Sequence, residues 1–143
     1  MLTVVTGPPC VGKSHYIRER AQPGDIVIDM DRLALALGSD DTHNHNEHIR
    51  FVTIACRRAA INAAFLEHER GATVWIAQVS LTPQALQRYI DYGASIIHLQ
   101  ASAETLHARA RAERPVLWHA LIDEWAPLVP NEGLTAHNRL WFE

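Results

Sequence analysis

The stretch Leu2-Thr3-Val4-Val5-Thr6-Gly7-Pro8-Pro9-Cys10-Val11-Gly12-Lys13-Ser14 decides how the rest of the chain is read. Leu2 to Thr6 is apolar and β-branched, the pattern of a short buried strand. A helix is expected from Lys13 to about Ala21, stopped by Pro23-Gly24. Between the two, Gly7 and Gly12 stand at the spacing G-x-x-x-x-G-K-S. Gly7 lets the chain turn out of the strand, and Gly12 lets backbone approach an anion closely. The N–H groups of the intervening segment Pro8-Pro9-Cys10-Val11 form a nest for phosphate oxygens, at which the helix also points its N-terminus. Lys13 should reach the β- and γ-phosphates, and the Ser14 hydroxyl should ligate Mg²⁺. The segment therefore predicts a binding site for a nucleoside triphosphate. Lys13 is the only lysine in the chain. A compact ammonium thus stands where a phosphate cradle calls for one.

The rest of the composition bounds the reading. A chain of 143 residues suits a single domain, 1–143. With 48% hydrophobic and 20% charged residues it can build an ordinary globular core. The net charge of −3 gives no global field for tight binding to a nucleic-acid backbone. Cys10 and Cys56 form neither a disulfide framework nor a CxxC pair, which fits a reducing compartment. No basic leader precedes the first strand, and no apolar run approaches the ~20 residues of a membrane span. A cytoplasmic protein with no membrane partner is the expectation.

Further strands are expected over Asp25–Asp29, Thr73–Ala77 and Ser95–Leu99. Helices are expected between them: a short one from Arg32 to Leu37, a long one from Ile49 to Arg70, one opened by Thr82 and Pro83, and one capped by Ser102. Ile49, Val52, Cys56, Ala59, Ala63 and Leu66 recur at threes and fours and predict the buried stripe of the long helix. Pro115 restarts a helix with Leu117, Leu121 and Trp125, and Leu134 to Phe142 forms a last one. Alternation of this kind argues a three-layer α/β/α fold around a parallel sheet of about 4–5 strands.

Asp29 and Asp31 end the second strand, on the edge where open α/β sheets hold ligands. If that strand neighbours the first, both carboxylates face the γ-phosphate. One could take a proton from an attacking hydroxyl, and the other could hold Mg²⁺, directly or through water. An Asp31 helix cap is the plainer alternative. The third strand runs into Gln78, Val79 and Ser80 with no acidic residue to orient Mg²⁺, which speaks against a motor ATPase. Gln78 and Ser80 are candidates for substrate hydrogen bonds. Arg109, Arg111 and Arg114 crowd the segment before Pro115, where guanidinium groups could clamp phosphoryl oxygens. His43, His45 and His48 lack a fourth zinc ligand, so a polar loop over the substrate crevice is the better reading. Arg50, Arg57 and Arg58 on the long helix could meet an acidic substrate, or solvent.

With these residues in view, the sequence resembles the small P-loop kinases. Ile28-Asp29-Met30-Asp31 is similar to the D-x-D of shikimate- and gluconate-kinase-like enzymes, and Asp31 stands where polynucleotide 5′-kinases place a general base. Arg109 is similar in place to a phosphate-contacting arginine of that family, and Gln78 departs from an acidic residue there. The chain also looks like small ATP-binding proteins of actinobacterial phages. The resemblance covers the order of strands and helices across most of the chain. It implies a nucleoside-kinase-like fold with a short lid, ATP and Mg²⁺ as cofactors, and transfer of the γ-phosphoryl to a hydroxyl or phosphate. The implied catalytic set is Lys13, Asp31, Asp29, Arg109 and Arg114. Gly7 to Ser14, Arg109 and Arg111 would hold nucleotide, and Ser14 and Asp29 would serve Mg²⁺. A nucleoside, a nucleotide, a nucleic-acid 5′ end or a small metabolite could be the acceptor. An ATP-binding module that orders its loops for a protein partner is the alternative. A toxin-like kinase would differ only in its acceptor.

Overall fold

The computed structural model describes residues 1–113 together with Ala120, Ile122 and Asp123. Its elements run β1 (Leu2–Thr6), α1 (Lys13–Arg20), β2 (Ile26–Ile28), α2 (Met30–Ala36), α3 (Glu47–Glu69), β3 (Val74–Gln78), α4 (Pro83–Asp91), β4 (Ser95–His98) and α5 (Ala103–Glu113). The four strands form one parallel sheet in the order β2-β3-β1-β4. β2 therefore does not neighbour β1, as the carboxylate argument supposed; β3 lies between them, with Val4 opposite Ile76 and Ile28 beyond it.

This order sets the layers. The chain leaves β1 in one direction and returns through β3 to β4 in the other. Right-handed crossovers then place α1 on one face and α3 and α4 on the opposite face. The pleat sorts the side chains accordingly. Leu2, Val4, Ile28, Val74, Ile76 and Ile96 pack with Ile61, Ala64 and Phe65 of α3 and with Leu86 and Tyr89 of α4. Val5, Trp75 and Ala77 pack with Ile17 of α1. Phe65 stacks on Tyr92 at 4.1 Å between ring centroids and meets Tyr89 edge-on at 5.7 Å, joining α3 to α4. Trp75 packs in the sheet and donates from Nε1 to Asp25 Oδ2 at 3.0 Å.

The helix starts follow their local signals. Thr82 accepts from Ala85 N with Pro83 at the first helical position, and Ser102 Oγ accepts from Thr105 N. The long helix departs from expectation in its face. Val52 and Leu66 of the predicted stripe are 51% and 55% exposed, and Ala59 and Ala63 are exposed too. The buried face is Thr53, Ile61, Ala64 and Phe65. α3 carries apolar residues on two sides, so its periodicity alone could not tell which one meets the sheet. Of the helix expected from Pro115, Ala120, Ile122 and Asp123 are described and are helical, with Ile122 buried; Leu117, Leu121 and Trp125, and the helix expected over Leu134 to Phe142, lie outside the described residues.

Candidate active site

The loop between β1 and α1 opens at the carboxyl edge of the sheet, where the chain reverses direction across β1 and β3. Gly7 has φ +147° and Gly12 φ +100°, both closed to most side chains. At Gly7 a methyl group would also sit 2.4 Å from the Leu99 carbonyl oxygen. Cys10 holds φ +64°, a left-handed conformation unusual outside glycine. Pro8 and Pro9 bring no N–H, so the anion-facing donors come from Cys10 onward. α1 begins behind Gly12 with no side-chain cap and no acidic residue in its first turn. Its first N–H groups and its dipole are therefore left for an anion.

Lys13 folds back over this loop, donating from Nζ to Gly7 O at 2.8 Å and to Pro8 O at 2.9 Å. A phosphate would offer the same ammonium a charged acceptor. Arg109 reaches the loop from α5 and donates to the carbonyls of Cys10 and Val11, both at 3.2 Å. The structure thus brings together Lys13 and Arg109. Arg111 stands about 200° further round the helix, is exposed, and borders no part of the cavity. The arginine stretch is helical through Glu113, so the described residues contain no lid loop there. Arg114 lies outside the described residues.

The two aspartates have different jobs. Asp29, 4% exposed, caps α2: its Oδ1 accepts from Asp31 N at 2.9 Å and Arg32 N at 3.3 Å. Its Oδ2 accepts from Ser14 Oγ at 2.5 Å. The helix cap is therefore Asp29 and not Asp31. Asp29 and Ser14 meet although β3 lies between β2 and β1. Two oxygen donors side by side at a phosphate loop suit a hard cation such as Mg²⁺.

Asp31 turns instead to the histidine loop. Its Oδ2 accepts from His43 Nδ1 at 2.9 Å and its Oδ1 from His45 Nε2 at 3.1 Å. Ser39 Oγ lies 2.7 Å from the other ring nitrogen of His45. Backbone N–H groups of His43 and Asn44 bind Asp41, which holds that carboxyl below its usual range. Sequence reasoning placed this loop near the crevice but missed the contact with Asp31. Alternation of histidines at 43 and 45 is the signal that could have suggested it. Among the described residues no three ligating side chains gather to hold a metal, so no zinc cluster forms at His43, His45 and His48.

Gln78 is held within the protein. Its Oε1 accepts from Arg57 Nη2 at 3.2 Å and Tyr89 Oη at 3.1 Å, and its Nε2 donates to Ser80 O at 2.8 Å. Arg57 also donates to Ala77 O at 2.8 Å and has no carboxylate in ion-pair range among the described residues. Burial pushes its guanidinium below the usual range, opposed by nearby Tyr89 and Asp29. Gln78 accepts from Arg57 without neutralising it, a second feature that the sequence hid. His98 closes β4, where burial and then the Lys13 ammonium push its imidazole down.

These groups line one cavity of about 1730 Å³, bordered by Lys13, Ser14, Asp29, Asp31, His43, Arg57 and Arg109. Pockets for single small ligands usually measure about 300–1,000 Å³, so this cavity exceeds what one such ligand needs.

Sheet order, layers and loop define an α/β protein of P-loop kinase-like fold. No protein-family model and no curated protein matches the chain. Solved structures that share the fold include chains of two Pnkp1/Rnl/Hen1 complexes. One is "Structure of the Pnkp1/Rnl/Hen1 RNA repair complex", at 16% identity and a TM-score of 0.62, covering 88% of this chain and 42% of that one. The other is "Structure of Pnkp1/Rnl/Hen1 complex", at 17% identity and 0.55, covering 76% of this chain and 38% of that one. The chain thus spans about two-fifths of the chains it matches, by those 42% and 38% shares. No helix among the described residues is long and apolar enough to cross a membrane.

Proposed function

We propose that this chain is a phosphotransferase that moves the γ-phosphoryl of ATP to a hydroxyl-bearing acceptor. The observation that carries the reading is that the phosphate loop, the Ser14–Asp29 pair and Asp31 border one cavity. Gly12, Lys13 and Ser14 hold the donor phosphates, with α1 aimed at them. Ser14 and Asp29 would hold Mg²⁺, which supplies neutralisation of the phosphate charge when bound. Lys13 trades its two carbonyl contacts for phosphate oxygens. Arg109 steadies the loop and is within the same cavity for charge developing on the transferred group. Asp31 provides the negative charge that assists removal of the acceptor's proton. Asp29, already accepting three hydrogen bonds, serves the cap and the metal.

Arg57, held in the cavity without a carboxylate partner, favours an acceptor that carries an anionic group. A nucleotide or the 5′-hydroxyl end of a short oligonucleotide answers to that, and the likeness to a chain of the Pnkp1/Rnl/Hen1 RNA repair complex supports it. The test is transfer from γ-labelled ATP to pooled nucleosides, nucleotides, 5′-hydroxyl oligonucleotides and sugars. Label should move to a phosphate-bearing acceptor and stop with Lys13→Ala. Absence of transfer despite measured Mg²⁺·ATP binding would defeat this reading. It would favour a binding module, which the lack of an acid at Gln78 supports.

A further inference from the structure

Asp31 does not face the cavity alone, and its two imidazole partners differ. His45 has a side chain only 8% exposed and both ring nitrogens occupied, Nε2 by Asp31 and Nδ1 by Ser39. It anchors the carboxylate. His43 lines the cavity beside Asp31, with a side chain 20% exposed. Its Nδ1 is bound to Asp31, and its Nε2 meets no hydrogen-bond partner among the described residues. A carboxylate can only accept, so the proton between them sits on Nδ1 and leaves a lone pair on Nε2. The ring is held in that orientation from both ends: Asp31 grips the side chain, and Asp41 accepts from the His43 N–H at 2.7 Å. A base whose second nitrogen is steered by a carboxylate is the arrangement that makes imidazole an effective proton acceptor.

We infer that the acceptor's proton goes to His43 Nε2, with Asp31 as the group that orients the ring and offsets the imidazolium charge. The inference rests on the kinase reading and names its proton acceptor. In the step, the acceptor O–H bond breaks and its proton passes to Nε2. The oxygen forms a bond to the γ-phosphorus. The bond from that phosphorus to the bridging oxygen breaks, and its electron pair stays on the departing diphosphate. His43 later returns the proton to water.

The experiment measures γ-phosphoryl transfer to the responsive acceptor by the full chain and by His43→Ala, His43→Gln and His45→Ala, with circular dichroism to check folding. His43→Ala should lower kcat by about 10²–10⁴-fold with the KM for ATP nearly unchanged, and added imidazole should restore part of it. His43→Gln, which keeps a donor toward Asp31 but no basic nitrogen, should lose as much. His45→Ala should lose less. Wild-type kcat in His43→Gln would overturn the inference alone, as it would show that only the hydrogen bond to Asp31 matters. Full activity in folded His43→Ala would do the same. No transfer by the unaltered protein to any acceptor would remove the kinase reading and this step with it.

Discussion

Replacing Asp29 separates its cap from its proposed metal role. In the structure its Oδ1 serves two backbone N–H groups of α2 and its Oδ2 serves Ser14. Asp29→Ala removes the cap, a loss of about 1 kcal/mol. It also strands the Ser14 hydroxyl and leaves a hole at a site only 4% exposed. A hydrogen bond to a charged partner adds about 1.5–3 kcal/mol, giving a total of about 2.5–4 kcal/mol. In a chain of this size each kcal/mol lowers Tm by about 3–6 °C. Asp29→Asn keeps an oxygen for both N–H groups and turns an amide toward Ser14, so its stability should fall by under about 1 kcal/mol. Its charge is gone, however, and Mg²⁺-dependent nucleotide affinity should drop at least about tenfold, or 1.4 kcal/mol. The assays are urea unfolding and calorimetric titration of ATP with and without Mg²⁺. Asp29→Ala within about 0.5 kcal/mol of wild type would refute the cap accounting. Unchanged Mg²⁺ dependence in Asp29→Asn would refute the metal role.

Phe65→Ala should cost about 3–5 kcal/mol, while its neighbour Leu66→Ala, on the exposed face, should stay within about 0.5 kcal/mol; chemical denaturation of both checks which side of α3 is core. Gly7→Ala should cost about 1–3 kcal/mol from its backbone conformation and more from the clash with Leu99 O, and nucleotide binding should be lost. Gly12→Ala, where a methyl group meets nothing within 4 Å, should destabilise less, and equal losses in thermal melts would contradict the geometry. His98 has a folded pKa pushed below its unfolded value of 6.5. Unfolding then takes up a proton as pH falls below about 6.5. The contribution of His98 is present above that pH and is lost as pH falls toward its folded value. Stability measured from pH 7.5 downward should decline less in His98→Asn than in wild type, and parallel curves would discount the histidine.

What lies close together in sequence was legible. The G-x-x-x-x-G-K-S spacing, the alternation of strands and helices, and the caps at Thr82 and Ser102 depend on interactions within a few residues. Backbone sterics and capping hydrogen bonds settle them locally. Non-local decisions were not legible. β3 enters between β1 and β2, and α3 buries Phe65 rather than Leu66, because pairing and burial compete across the whole chain and periodicity admits both faces. The same holds within the site. The sequence by itself nominated Lys13, Ser14, Asp29 and Asp31 as candidates for a phosphate site. Only the tertiary structure decided that Asp29 binds Ser14 and caps α2, that Asp31 meets His43 and His45 from 12 and 14 residues away, and that Arg57 reaches Gln78 across 21. Contacts at such separations follow from how helices and strands stack, which local propensity does not encode.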